Sequence, residues 1–322
     1  MKKLATALLA ASCLIACGNA QKSEQQAAET ESSSSTAAVT AEDQIVPDVP
    51  KESTVFENDI YKFNLGTGEL VAKGVHYDMA YVTAGTFTMG AAADDADAAD
   101  DEKPAHKVTL THDYYIGKTP VTVGFWKAVM GSAPADHEDI PDNSAVQNVS
   151  WEQCAEFISA LSQHCGELEE WALPTEAEWE FAARGGNKSK GYKYSGSNNP
   201  DEVAWYNDSY SNRAEDAFEG SYPPVALKKP NELGIYDMSG SVYEWCRDQY
   251  TAYTDEAQED PSCYDFEATT DIRVKRGGAR LYRARLCRVT SRNYESATAD
   301  FNPLTGFRLV YKHYQQEDGD EE

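Results

Sequence analysis

The chain has 322 residues, a formal net charge of −26, and 41% hydrophobic and 11% aromatic residues. So large an acidic excess excludes general nucleic-acid binding, because the phosphate backbone would be repelled. Six Trp and 19 Tyr supply ample core material, and the roughly 270 residues beyond the N-terminal leader suit one large domain or two small ones.

The leader opens with Lys2 and Lys3, followed by an apolar run, Leu4–Ala11, too short to span a bilayer. Leu14-Ile15-Ala16-Cys17 then places small and aliphatic residues ahead of a cysteine, an order that resembles the lipobox of exported lipoproteins. The expectation is a signal peptide over 1–17 and a fatty-acyl (palmitate-type) anchor on Cys17, which tethers the protein to a membrane of the cell envelope. Residues 18–54 are rich in Ser, Ala, Gln, Thr and Glu and lack any aromatic residue. They cannot bury enough apolar surface to offset their ordering entropy, which predicts a disordered tether. Gln21-Lys22-Ser23-Glu24 resembles an export tag, which favours the outer membrane or cell surface over the inner membrane.

A domain is expected over 55–313, with an acidic tail over 314–322. Ala80–Val82 and Thr86–Met89 alternate around a glycine and predict two short strands; His106–Leu110 and Tyr114–Ile116 predict a hairpin. Acidic residues crowd Asp94–Glu102, but the central Gly and closing Glu of an EF-hand loop are missing. Thr122–Met130 fits a short helix with Phe125, Trp126 and Val129 inward. Ser150 with Gln153, and Thr175 with Glu178, form two capping boxes ahead of apolar residues at helical spacing, and Gly185-Gly186 closes the second helix. Cys154 and Cys165 lie eleven residues apart, roughly 16 Å along a helix axis, too far to pair with each other while both are helical. Tyr192–Glu232 reads as a long loop with Trp205, Tyr206 and Phe218 as anchors. Arg273–Arg276 and Gly306–Val310 predict two strands flanking a basic stretch.

Taken in order, these segments resemble a known family. Gly85-Thr86-Phe87-Thr88-Met89-Gly90 is followed by Asn148-Val149-Ser150-Trp151 and Leu173-Pro174-Thr175-Glu176-Ala177-Glu178-Trp179-Glu180. Asn231–Gly240, Glu244-Trp245, Arg276-Gly277-Gly278 and Gly306-Phe307-Arg308-Leu309 complete the series. Together they resemble the sulfatase-modifying-factor family, whose best-known members are formylglycine-generating enzymes. The resemblance implies an α+β, elaborated C-type-lectin-like fold with little regular secondary structure and often bound calcium.

The calcium that the resemblance implies falls on the side chains of Asp237 and Glu244 and the carbonyls of Gly240 and Val242, hard oxygen donors suited to that ion; the alternative is that the two acids cap turns without metal. A second site implied in the same way uses the Asp216 side chain and the Phe218 carbonyl. The enzymes oxidise a substrate cysteine with two cysteines that bind copper(I). Here, Cys287 stands at the first position counted from Gly278, and Val289 at the second counted back from Arg288–Arg292. A lone thiol cannot make a two-thiolate site, so the resemblance argues against copper and leaves Cys287 as the only candidate catalytic thiol. Family members without the copper pair often carry cysteines at the positions of Cys246 and Cys287, which implies a disulfide between them or a buried thiol.

Eight of the 28 Lys and Arg residues lie between Arg273 and Arg292, with no acid among them. Such asymmetry on an acidic protein can make an anionic-ligand patch; the equal alternative is that Arg276, Arg288 and Arg292 pair with buried acids. Arg280, Arg283 and Arg285 replace residues that line the substrate groove of the enzymes. In some lectin-fold relatives this stretch is a hypervariable ligand-binding surface. The leading expectation is a non-copper member that binds an envelope protein or anionic ligand over Tyr243, Arg280, Tyr282, Arg283 and Arg285. The rivals are a formylglycine-generating oxidase acting on a sulfatase cysteine and a structural lipoprotein of a secretion or motility machine.

Overall fold

A computed structural model describes residues 55–58, 60–165, 171–207, 222–263, 271–299 and 303–312, all within one compact unit. Cys17, the tether, Asp216, Phe218 and the acidic tail lie outside the described residues. Among the described residues, no helix is long and apolar enough to cross a membrane.

A seven-stranded sheet runs in the order β1 (Val55–Glu57), β2 (Tyr61–Asn64), β3 (Glu69–Ala72), β4 (Val75–Val82), β7 (Tyr114–Gly117), β14 (Val310–Tyr311) and β8 (Trp171–Ala172). In β2 and β3, alternation buries Tyr61, Phe63, Leu70 and Ala72. Further into the sheet both faces are covered. In β7, Tyr115 joins one apolar core, while Tyr114 and Ile116 join another on the opposite side. The first core holds α1 (Val123–Met130) and α2 (Trp151–Ser162), with Phe157 stacked on Trp126 at 5.1 Å and edge-on to Phe307 at 5.3 Å.

The predicted caps are present. Thr122 accepts from the Phe125 amide, and Ser150/Gln153 and Thr175/Glu178 are reciprocal capping boxes. The helix α3 (Glu176–Ala183) has no polar face: all eight residues are buried. Its three glutamates are each met by a cation, Glu176 by Arg292 (2.7 Å), Glu178 by Lys312 (2.5 Å), and Glu180 by Arg184 (2.7 Å) and Arg276. Burial alone would raise the Glu180 pKa, but Arg184 and Arg276 hold it below the ordinary value. Within the long loop predicted from Tyr192 onward, the described residues include a short helix, α4 (Pro200–Val203), capped by Asn199.

Two strand expectations need correction. β6 (His106–Leu110) and β7 do not form a hairpin. β6 pairs with β5 (Gly85–Met89) and β10 (Gln258–Glu259) in a separate three-stranded sheet, whereas β7 pairs with β4 and β14. The turn between them is diverted because Asp113 accepts from the Ala84 amide (2.7 Å) and the Tyr81 hydroxyl, which ties it to the end of β4. Nor is Gly306–Val310 one strand. β13 (Thr305–Gly306) pairs with β9 (Tyr243–Gln249), β14 pairs with β7, and the buried Arg308 between them occupies the crossing.

The third sheet has the order β12 (Arg292–Ser296), β11 (Ile272–Arg276), β9 and β13, with the irregularity in β9, where Trp245 to Gln249 spans the register of Lys275 to Arg273. This sheet carries the candidate site.

Candidate functional site

Gly277 and Gly278 leave β11 in the left-handed region (φ 93° and 73°). A Cβ on Gly278 would lie 2.6 Å from the Leu286 carbonyl oxygen and 2.7 Å from Cys287 Sγ, so the following segment can fold back on this turn only over a glycine. That segment contains a short 3₁₀ turn, Ala284–Cys287, and returns into β12.

Most of the basic strip is internal. Arg276 reaches Glu180, Glu176 (3.4 Å) and the Val289 carbonyl (2.8 Å). Arg288 takes both oxygens of Glu102 at 2.8 and 2.5 Å, and Arg292 takes both of Glu176 at 2.7 and 2.8 Å. The Arg288 and Arg292 pairs are fork-to-carboxylate bonds between buried groups, and all three arginines cross-link the fold and are committed to internal acids. Arg280 is a correction to the expected groove: it is only 8% exposed, donates to Gln147 Oε1 at 2.7 Å and lies over the Tyr222 ring. Burial pulls its pKa down, and it cannot serve as an exposed contact in this conformation.

What reaches the surface is a smaller set. Leu281 (44% exposed), Tyr282 (41%) and Tyr294 (52%) stand out with Arg283 and Arg285. Tyr243 is buried beneath Tyr282, ring centroids 5.3 Å apart. Between them opens a recess of about 160 Å³ lined by Tyr243, Lys275, Tyr282, Asn293, Glu295 and Thr305. Lys275 escaped the sequence reading as a site residue. Its signal was available: Tyr243 and Trp245 are two apart on β9, so both rings share one face, and Lys275 is the cross-strand partner of Trp245.

Cys287 is fully buried, its Sγ 3.9 Å from the Arg283 carbonyl oxygen, and burial pushes its thiol up to about 12. Cys246 is likewise buried, with its thiol well above the ordinary value, and both are free thiols. Of the two alternatives for this pair, the buried thiol holds in the structure. A single thiol, with the buried Val289 where a second cysteine would stand, does not fit a two-thiolate copper(I) site.

The proposed calcium ligands meet unequally. Glu244 is buried and already committed: Arg308 donates to both its oxygens at 2.6 Å, and the Trp179 indole donates to Oε2 at 2.6 Å. Asp237 differs. Its Oδ2 accepts from the Ala226 amide at 2.7 Å, while Oδ1 is buried with no hydrogen bond, and burial raises its pKa to about 6. Asp237, Gly240 and Ser241 all have positive φ, a tight turn forced by the Trp205 backbone, whose carbonyl oxygen would lie 2.0 Å from a Cβ on Gly240. The residues therefore fit a cation at Asp237 and not as a two-carboxylate cradle with Glu244.

A family model described as a sulfatase-modifying factor enzyme 1-like domain matches residues 71–313. Chaperone protein LppX of Paenibacillus barcinonensis is 37% identical over 182 residues, which covers 43% of this chain and 63% of that protein. Inactive C-alpha-formylglycine-generating enzyme 2 of Bos taurus is 31% identical over 162 residues, 50% of this chain and 46% of that protein. The chain thus spans less than two thirds of the length of either relative. Among solved structures, Treponema denticola variable protein 1 has a TM-score of 0.62 at 27% identity, covering 76% of this chain and 98% of that one. With the family match running through α3, the Gly277-Gly278 turn and the β13–β14 crossing, the chain belongs to the sulfatase-modifying factor enzyme 1-like family, the family of the formylglycine-generating enzymes.

Proposed function

We propose that the chain is a lipid-anchored envelope protein, held through Cys17, whose face around Leu281, Tyr282, Arg283 and Arg285 binds a partner protein. The observation that carries this reading is the residue set at Cys287: a lone buried thiol with Val289 at the companion position lacks the second cysteine of a two-thiolate copper pair. In its place the same loop presents exposed aromatic, aliphatic and arginine side chains, the residue types that anchor protein interfaces. Similarity to a relative named as an inactive formylglycine-generating enzyme, and to one named as a chaperone, supports the same direction. Calcium belongs to this reading as a structural ion at Asp237, and the surface or outer membrane as the location.

A photo-crosslinking amino acid at position 282 of the full-length lipoprotein, compared with one at the exposed Lys188, tests the face in intact cells. The expected outcome is a discrete crosslinked protein from position 282 only, with strong reduction when Cys17→Ser releases the anchor. The rival oxidase reading is tested by incubating the purified protein with copper(I) and a peptide bearing a Cys-x-Pro-x-Arg motif. Aldehyde formation that disappears in Cys287→Ser would sink the binding-only reading.

A further inference from the structure

Lys275 is a charged residue on a strand whose neighbours on both sides are buried, and it is itself only 7% exposed. Its ammonium lies 5.5 Å from the Tyr243 ring centroid and 5.3 Å from that of Trp245. The nearest carboxylate oxygen, Glu295 Oε2, is 3.9 Å away, beyond hydrogen-bond reach. Among the described residues, no protein acceptor receives any of its N–H groups, and the side chain lines the recess beneath Tyr282. An ammonium at the wall of a recess, with no protein acceptor among the described residues, is completed by water or by a ligand.

We infer that this recess receives the carboxylate of an acidic side chain from a partner protein, with Lys275 as the anchoring charge. The inference rests on the reading of this face as a protein-binding surface. Size selects the occupant: about 160 Å³ is well below the roughly 300–1,000 Å³ of small-molecule sites and suits one inserted side chain. Charge selects its sign, since Lys275 is the only cation among the residues that line the recess. Glu295 is the opposing group. It is half exposed, with Oε1 accepting from the Ser296 amide at 3.2 Å, so it can swing outward as a new carboxylate enters. Tyr243 and Tyr282 give the aliphatic stem of the incoming side chain an aromatic wall, and Asn293 and Thr305 add polar groups to the lining. Single side chains seated in such desolvated pockets dominate many protein interfaces.

The test uses the full-length protein in detergent micelles, with lysines carrying a ¹³Cε label, titrated with glutarate and with its neutral analogue glutaramide. The expected result is a saturable shift of the one resonance missing in Lys275→Met, caused by glutarate and not by glutaramide. Glu295→Gln, which leaves the lysine intact, removes the competing carboxylate and should tighten glutarate several-fold; it keeps the test open should Lys275→Met fail to fold. In cells, Lys275→Met should reduce crosslinking from position 282 by about tenfold, the loss of one charge-assisted hydrogen bond. If glutarate perturbs the resonance no more than glutaramide while crosslinking persists in Lys275→Met, the recess proposal falls and the binding face stands. If glutarate binds but position 282 captures nothing in the wild type, the face reading falls and takes the protein partner with it.

Discussion

A carboxylate's role is set by what reaches it, and the buried acids divide on that basis. Glu244 has a guanidinium on both oxygens and behaves as half of a structural ion pair, whereas Asp237 has one oxygen with nothing donating to it. Calcium at Asp237 should therefore raise the melting temperature, by about 2–4 °C for each kcal/mol of binding free energy, and Asp237→Asn should abolish the effect. A melting temperature indifferent to calcium and to chelator would remove the site. Asp248 makes a different prediction. It accepts from the Glu176 amide (2.7 Å) and the Cys263 amide (2.6 Å), yet burial raises its pKa to about 7. The native state then holds a proton that the unfolded chain has lost between pH 3.8 and about 7, so Asp248 makes stability fall as pH rises through that window. Urea unfolding at pH 4 and pH 8 should show a stability difference between wild type and Asp248→Asn that shifts against the wild type by about 4 kcal/mol. A difference independent of pH would refute it. The types of these residues were legible in the sequence, but their partners were not: Glu244 meets Arg308 64 residues away, and no local pattern encodes that distance.

Among the elements, α3 and the turn after β11 matter most. The Thr175/Glu178 capping box was readable because its bonds span three residues. That the helix would bury all eight residues was not, because a run with three glutamates looks solvated until Arg276, Arg292 and Lys312 arrive from the far end of the chain. Breaking a buried pair of this kind leaves an uncompensated charge, which explains why so acidic a helix tolerates the interior only as a set. The Gly277-Gly278 turn holds the candidate face in place. Gly278→Ala puts a methyl against the Leu286 carbonyl, which is backbone and cannot rotate away, at a φ of 73°. It should destabilise by about 1–3 kcal/mol. Adding Cys287→Ala should recover little of that loss in thermal unfolding, since it relieves only the sulfur contact; full recovery would show that the sulfur, not the backbone, sets the constraint.

For the whole molecule, what could be read from sequence alone was whatever depends on short separations. Capping boxes, helix faces, strand alternation and the order of the family motifs are all of this kind, and they pointed to the family and the α+β class. The net charge of −26, which argues against general nucleic-acid binding, is read in the same local way, by simple summation. Tertiary structure alone decided the rest. It separated β6 from β7 into different sheets, split Gly306–Val310 between two sheets, and divided the basic strip into internal cross-links and a small exposed set. It also buried Arg280, expected in the ligand groove, and opened a recess onto Lys275, which the sequence had placed only in a strand and in the basic strip. The physical reason is common to all of these. Whether a strand pairs, a charge is compensated or a thiol is protonated depends on which groups are brought into contact from distant parts of the chain, and sequence periodicity carries no record of those contacts.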